Sequence, residues 1–221
     1  LDITRDVLDE RGIEYDETEI EAARQAHQER SREQGKTESE VSLDLADLPE
    51  TEFVGYDTLK DHSQVLALYR GASDSGELER VEELATEPGM VVLDSTPFYP
   101  EGGGQVGDRG RIDGQRVEDT EERSERILHR VSPDSDDSLV VGDSVEVEVD
   151  RHRRLNTMRH HTATHLLQAA LRQVLGDHVM QDGSYLDEEY LRFDFTHNES
   201  LDTDTLDTVE TLVNEWIYAA L

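Results

Sequence analysis

The sequence contains no cysteine, which excludes a disulfide framework and any thiolate metal site made from these residues alone. A metal would have to rest on His, Asp or Glu. Lysine is almost missing as well, with only Lys36 and Lys60, so the basic residues are otherwise arginines. No apolar run approaches the roughly 18 to 20 residues that a membrane-spanning helix needs, and the acidic first segment lacks the basic-then-apolar layout of a signal peptide. These absences lead to the expectation of a cytoplasmic chain with no membrane partner.

What is abundant is negative charge: 53 acidic residues against 21 basic ones, a formal charge of -32 over 221 residues. That balance argues against a nucleic-acid partner, because phosphates are bound by an excess of positive charge. Yet the carboxylates are spread over nearly every segment. This is the pattern of a surface suited to molar salt, where charges are screened within about 3 Å and hydrated carboxylates maintain solubility. The sequence therefore reads as halophilic, its acidic runs as solvated faces, and any anion-binding site must be local. A hydrophobic fraction of 34% still provides for one large or two modest cores.

Along the chain, a short helical turn closed by Gly12 precedes a capping box, Asp16 with Glu19, that opens a charged helix to about Gln34, before Gly35. Residues 36 to 50, with Val41, Leu43, Leu45 and Leu48 ahead of Pro49, read as a connector. From Thr51 to Asp150 the period changes to two. Apolar runs at Phe53 to Tyr56, Val65 to Tyr69, Met90 to Leu93, Ile127 to Val131 and Val145 to Val149, separated by turn residues, predict a small antiparallel β-barrel. Asp150 is a good N-cap for a helix predicted to Leu175, closed by Gly176, with Leu155, Met158, Leu166, Ala170 and Val174 near one face. Strands at Val179 to Leu186 and Leu191 to Phe195 follow. A last helix from about Thr203 carries Leu206, Val209, Val213, Trp216 and Ile217. The expected class is α+β: N-terminal helices over 1–48, the barrel over 51–150, and over 151–221 a two-layer α/β subdomain whose remaining strands lie beyond residue 221.

Two segments carry residues suited to chemistry. His161 and His165 are one helical turn apart, so their rings leave the same side of the predicted helix at a spacing suited to zinc. The same spacing also fits two histidines that are exposed or satisfied by hydrogen bonds. Thr162 stands where a metalloprotease carries its glutamate, so peptidase chemistry is not expected. Arg151, Arg153, Arg154 and Arg159 crowd the start of this helix and are candidates for phosphate contacts, or for pairing with nearby carboxylates. The second segment is TPFYPEGGGQVGDRG, Thr96 to Gly110. Its Gly102, Gly103 and Gly104 permit backbone conformations and close approaches denied to other residues. No lysine follows these glycines, so a Walker-type nucleotide loop is not supported.

With these segments in hand, the chain resembles the editing portion of alanyl-tRNA synthetases, in an archaeal, salt-adapted form, and the free-standing editing proteins related to them. The family pattern is matched by Thr96, Phe98, Tyr99, Glu101, Gly103, Gly104, Gln105, Asp108 and Gly110, and again by the stretch from Arg159 to His197. The resemblance implies hydrolysis of Ser-tRNA(Ala) and Gly-tRNA(Ala), with Thr164, Gln181 and Gln105 in the editing pocket and Gly103 and Gly104 close to the substrate. It implies Zn2+ held by His161 and His165, completed by a cysteine and a histidine from a later CxxxH motif that this chain does not contain. Residues 1–48 become the end of a tRNA-recognition region. Alanylation with ATP and Mg2+ belongs, on the same resemblance, to a catalytic domain outside this sequence. The implied partner is tRNA(Ala), not DNA, and a homodimer through a region after residue 221 is allowed. A free-standing deacylase of the same family, and a nonenzymatic tRNA-binding or acidic interaction module with structural histidines, are the competing readings.

Overall fold

The computed structural model of the chain describes residues 45–71, 78–85 and 87–219; the helices expected before Gln34 lie outside them. Residues 43–221 form one compact unit. In chain order its elements are β1 (Glu52–Phe53), β2 (Lys60–Arg70), β3 (Glu79–Val81), β4 (Glu83–Leu84), β5 (Gly89–Leu93), β6 (Ser95–Thr96), β7 (Gly110–Ile112), β8 (Gln115–Arg123), β9 (Arg126–Ser132), β10 (Leu139–Val140), β11 (Ser144–Val149), α1 (Arg151–Leu175), β12 (Gln181–Leu186), β13 (Leu191–Phe195) and α2 (Thr203–Ala219). The result is a mixed α+β structure, mostly sheet.

The main sheet runs β11-β7-β8-β9-β5-β2-β3, and β11 pairs a second time, with β2, so the ladder of six strands returns on itself. Every pairing in it is antiparallel. Strand β11 shows why: in SVEVEV, Val145, Val147 and Val149 are buried while the residues between them are exposed, the alternation that a pleated strand with one wet face requires. Those valines join Val65, Leu68, Val91, Leu93, Ile112, Val117 and Val131 in a single interior cluster. Strand β5 is buried along its whole length because its other face is covered too. There Met90 and Val92 pack with Ala67, Tyr69 and Leu128, and with Leu45 and Leu48 from the segment expected to be only a connector.

The hairpin β7–β8 was not expected. Its strands are strongly polar, and the inward positions Gln115, Val117 and Thr120 include one apolar side chain. A register shift between Val117 and Asp119 also breaks the period of two. The turns at the two ends of β8 hold Asp113 and Gly114 at φ 48 and 84, and Ser124 and Glu125 at φ 51 and 65, the left-handed pairs that suit tight hairpins.

The second layer joins α1 and α2 to the β12–β13 hairpin. Ala170, Leu171, Val179 and Val209 are its buried centre, flanked by Leu167, Val174, Phe193, Phe195, Val213 and Trp216. The bounds of α1 agree with expectation, and the Asp150 carboxylate accepts from Arg153 N at 3.0 Å. Its buried face does not. As far as Thr164 the buried residues are Arg154, Thr157 and Thr164, while Met158, expected on the apolar face, is 49% exposed. The reason is that this part packs on the glycine-containing segment and its polar partners, and only the part from Leu167 onward meets the apolar layer. Leu206 and Ile217 of α2, also expected inward, are exposed.

Candidate functional site

The segment between β6 and β7 is tied at its base by reciprocal bonds: Tyr99 N donates to Asp108 Oδ2 at 2.7 Å and Asp108 N to Tyr99 O at 2.9 Å. Its tip turns through Gly103 and Gly104, at φ 61 and 85, a region that residues with a Cβ rarely adopt. Gly102 and Gln105 exchange backbone hydrogen bonds of 3.0 Å across the turn. The tip then adds to β12: Leu186 N donates to Gly104 O at 2.8 Å, and Val106 N to Leu186 O at 3.1 Å. A Cβ on Gly104 would run into the hydroxyl and the carbonyl of Ser184, so glycine is needed for the approach as well as for the turn.

Helix α1 meets the same tip. His161 Nδ1 lies 2.7 Å from Gln105 Oε1; an amide oxygen only accepts, so Nδ1 carries the proton and the Nε2 lone pair is free in the neutral ring. Burial, and then the neighbouring His165, push the His161 imidazole below its ordinary range and favour that neutral form. His165 stacks beside it, ring centroids 5.2 Å apart and planes inclined by 24°. Gln105 is 4% exposed, His161 half-buried and His165 exposed. The pair therefore sits at a boundary between packed protein and solvent.

The other expected pocket residues fall around this contact in different ways. Gln181 is exposed on β12 and donates to Ser184 Oγ at 3.0 Å, which in turn reaches Gly103 O at 3.4 Å. Ser184 thus links Gln181 to the glycine tip, a role that only the strand pairing reveals. Thr164 is 6% exposed and donates to His160 O at 2.9 Å, so its hydroxyl hydrogen is committed to the helix backbone. His160 donates Nδ1–H to Asp187 O at 2.6 Å, fastening α1 to the end of β12.

The four arginines expected to meet phosphate do not form one surface. Arg154 is 4% exposed: its guanidinium pairs with Asp108, also buried, and donates to Gly55 O at 2.9 Å and Pro97 O at 2.6 Å. It clamps the base of the glycine-containing segment to α1, so for Arg154 the structure shows the carboxylate pairing that was the alternative to a phosphate contact. Arg153 is mostly covered and paired with Glu188. Arg159 donates to Asn156 at 2.7 Å and stays exposed, as does Arg151.

As donors for a metal, His161 and His165 fit one half of a zinc set. They are on one side of a helix, and the first is oriented through its distal nitrogen by Gln105, as metal-bound imidazoles usually are. Zinc takes four ligands, and among the described residues no third His, Asp or Glu joins them. No helix among the described residues is long and apolar enough to cross a membrane.

Comparison with known sequences gives the family. The family described as tRNA synthetases class II (A) matches residues 1–153. The chain is similar to the alanine–tRNA ligase of Methylobacillus flagellatus, at 43% identity over 99% of its length. It spans 25% of that relative.

Proposed function

Since this chain belongs to the family of class II tRNA synthetases of type (A), we propose that it is the editing region of an alanine–tRNA ligase, which hydrolyses the ester of Ser-tRNA(Ala) and Gly-tRNA(Ala). The observation that carries the proposal is the 2.7 Å bond between His161 and Gln105. It brings the histidine helix and the glycine tip, more than fifty residues apart in sequence, to one solvent-facing edge. The closed ladder is the small barrel that holds that tip in place, and the α1, α2 and β12–β13 layer is the subdomain that presents the histidines.

The need for such a site is physical. A pocket shaped for alanine separates it from near-isosteres by only about 10- to 200-fold, so a second, hydrolytic site is required for accuracy. In the reaction a water oxygen bonds to the ester carbonyl carbon, the bond from that carbon to the ribose oxygen breaks, and the leaving oxygen takes a proton. Gln105 holds the ring of His161 with its Nε2 outward. Gly103, with open space where a side chain would stand, lets the terminal ribose approach the backbone, Gly104 seats that turn against Ser184, and Gln181, steadied through Ser184, is placed to contact the aminoacyl group. Thr164 acts here through its methyl and the helix backbone it is bonded to. A zinc ion on His161 and His165 would supply a Lewis acid for the aminoacyl carbonyl or a water, its other ligands coming from outside these residues.

On this reading the acidic surface is that of a cytoplasmic enzyme in a salt-adapted cell, and the partner tRNA(Ala) is met by local basic groups against the net charge. The test is deacylation by the full-length protein, with Ala-tRNA(Ala) as control. Release of serine and glycine should be faster than release of alanine by at least an order of magnitude; equal rates would sink the proposal.

A further inference from the structure

An open groove of about 480 Å³ lies beside the first turn of α1, lined by Arg109, Arg111, Arg116 and Arg151. Four guanidiniums around one cavity stand out in a chain of charge -32. The acidic lining is largely committed: Glu148 pairs with Lys60, Glu118 with Arg116, and Asp150 caps the helix. Arg111 and Arg116 both reach Asp134, at 2.7 and 3.3 Å.

Arg109 and Arg151 differ. Although carboxylates outnumber basic groups by more than two to one, neither forms an ion pair among the described residues. Outside the groove Arg70, Arg80, Arg123, Arg130, Arg172 and Arg192 form one, and Arg126 and Arg159, which do not, donate to Leu48 O and Asn156. Arg109 is oriented by one bond, Nε to Glu118 O at 2.7 Å, which leaves both terminal nitrogens for a ligand. The backbones of the two segments are joined where Asp150 N donates to Arg109 O at 2.7 Å, so the two arginines are held on a common frame.

We propose that this groove binds the phosphodiester backbone of RNA through Arg109 and Arg151. Forked guanidiniums recognise phosphate oxygens by paired hydrogen bonds, and that short-range contact persists where salt screens longer-range attraction. From Arg151 to His161 the helix rises by about 15 Å, so a strand anchored in the groove lies within a few nucleotides of the histidine pair. The inference rests on the reading of the chain as a tRNA-handling module, but not on hydrolysis.

The test is binding of uncharged tRNA to the 221-residue chain, measured by fluorescence anisotropy over a salt series. For Arg109→Gln with Arg151→Gln, the loss of two phosphate contacts should lower the slope of log K against log salt by about 1.5 and weaken binding about tenfold at 0.2 M salt. Arg172→Gln, at the far end of α1 and paired with Asp177, should change neither. If Arg109→Gln weakens the fold, Arg151→Glu on the exposed first turn carries the test alone, with a slope lower by at least about 0.7. Unchanged affinity and slope overturn the proposal, even if Ser-tRNA(Ala) is cleared. Displacement of the tRNA by millimolar pyrophosphate would assign the groove to a small phosphate ligand and overturn it too. Loss of binding in the variant chain, alongside a full-length protein that clears nothing, would uphold the groove while refuting the hydrolase reading.

Discussion

Acidification should destabilise this fold through one histidine. His129 is fully buried inside the strand ladder, its Nδ1–H donating to Val91 O at 3.0 Å and its Nε2 accepting from Thr96 Oγ1 at 2.8 Å. Both bonds are satisfied by the neutral ring, and burial lowers its pKa from 6.5 to about 4. Because the folded value is depressed, the unfolded chain binds the proton first. Stability is then fully present above about pH 6.5 and declines as pH falls toward 4. At about 1.36 kcal/mol per unit the full difference is about 3 kcal/mol, of which about 2 kcal/mol is lost between pH 7.5 and pH 5. The assay is denaturant unfolding of the wild type and of His129→Gln, whose amide retains a donor and an acceptor without titrating. Carboxylates titrate in both proteins, so the difference between their stability curves isolates the imidazole. A difference that stays flat from pH 7.5 to 5 would refute the reasoning.

Three further expectations concern the site. Replacing Arg154 with Met leaves Asp108 buried without its partner and should cost about 3 to 5 kcal/mol of stability, with tRNA affinity of the folded fraction unchanged; a loss of affinity at wild-type stability would restore Arg154 as a phosphate ligand. Gln105→Leu removes the acceptor for His161 but keeps the backbone bridges of the tip. Ser-tRNA(Ala) clearance should fall about 10- to 100-fold, and Gln105→Glu, which still accepts, should recover most of it; clearance by Gln105→Leu at the wild-type rate would contradict the site. Gly104→Ala forces a Cβ into Ser184 at a positive φ and should lower stability by about 1 to 3 kcal/mol, read as a fall in the thermal midpoint.

The regular parts of this molecule were legible because local signals agreed with one another. Asp150 and Gly176 fixed α1, and the alternating valines of β11 announced a half-buried strand. Strand β8 was hidden because its inward positions are mostly polar and its period is interrupted, so its stability comes from neighbours in the ladder and not from its own composition; the Asp113–Gly114 turn was its one available sign. The glycine tip and the histidine pair could be singled out from residue types. Their contact through Gln105 could not, since it depends on β12 bringing Leu186 and Ser184 to the tip. Arg154 was left between phosphate contact and carboxylate pairing for a related reason: an arginine at a helix start looks like a surface cation until Asp108, 46 residues away, is folded against it.

The most direct measurement is Ser-tRNA(Ala) clearance by the full-length protein carrying His165→Ala, compared with its alanylation activity. The ring of His165 is exposed and stacks on His161. Clearance should be abolished while alanylation is retained; clearance at the wild-type rate would contradict the assignment of the two imidazoles to a hydrolytic site.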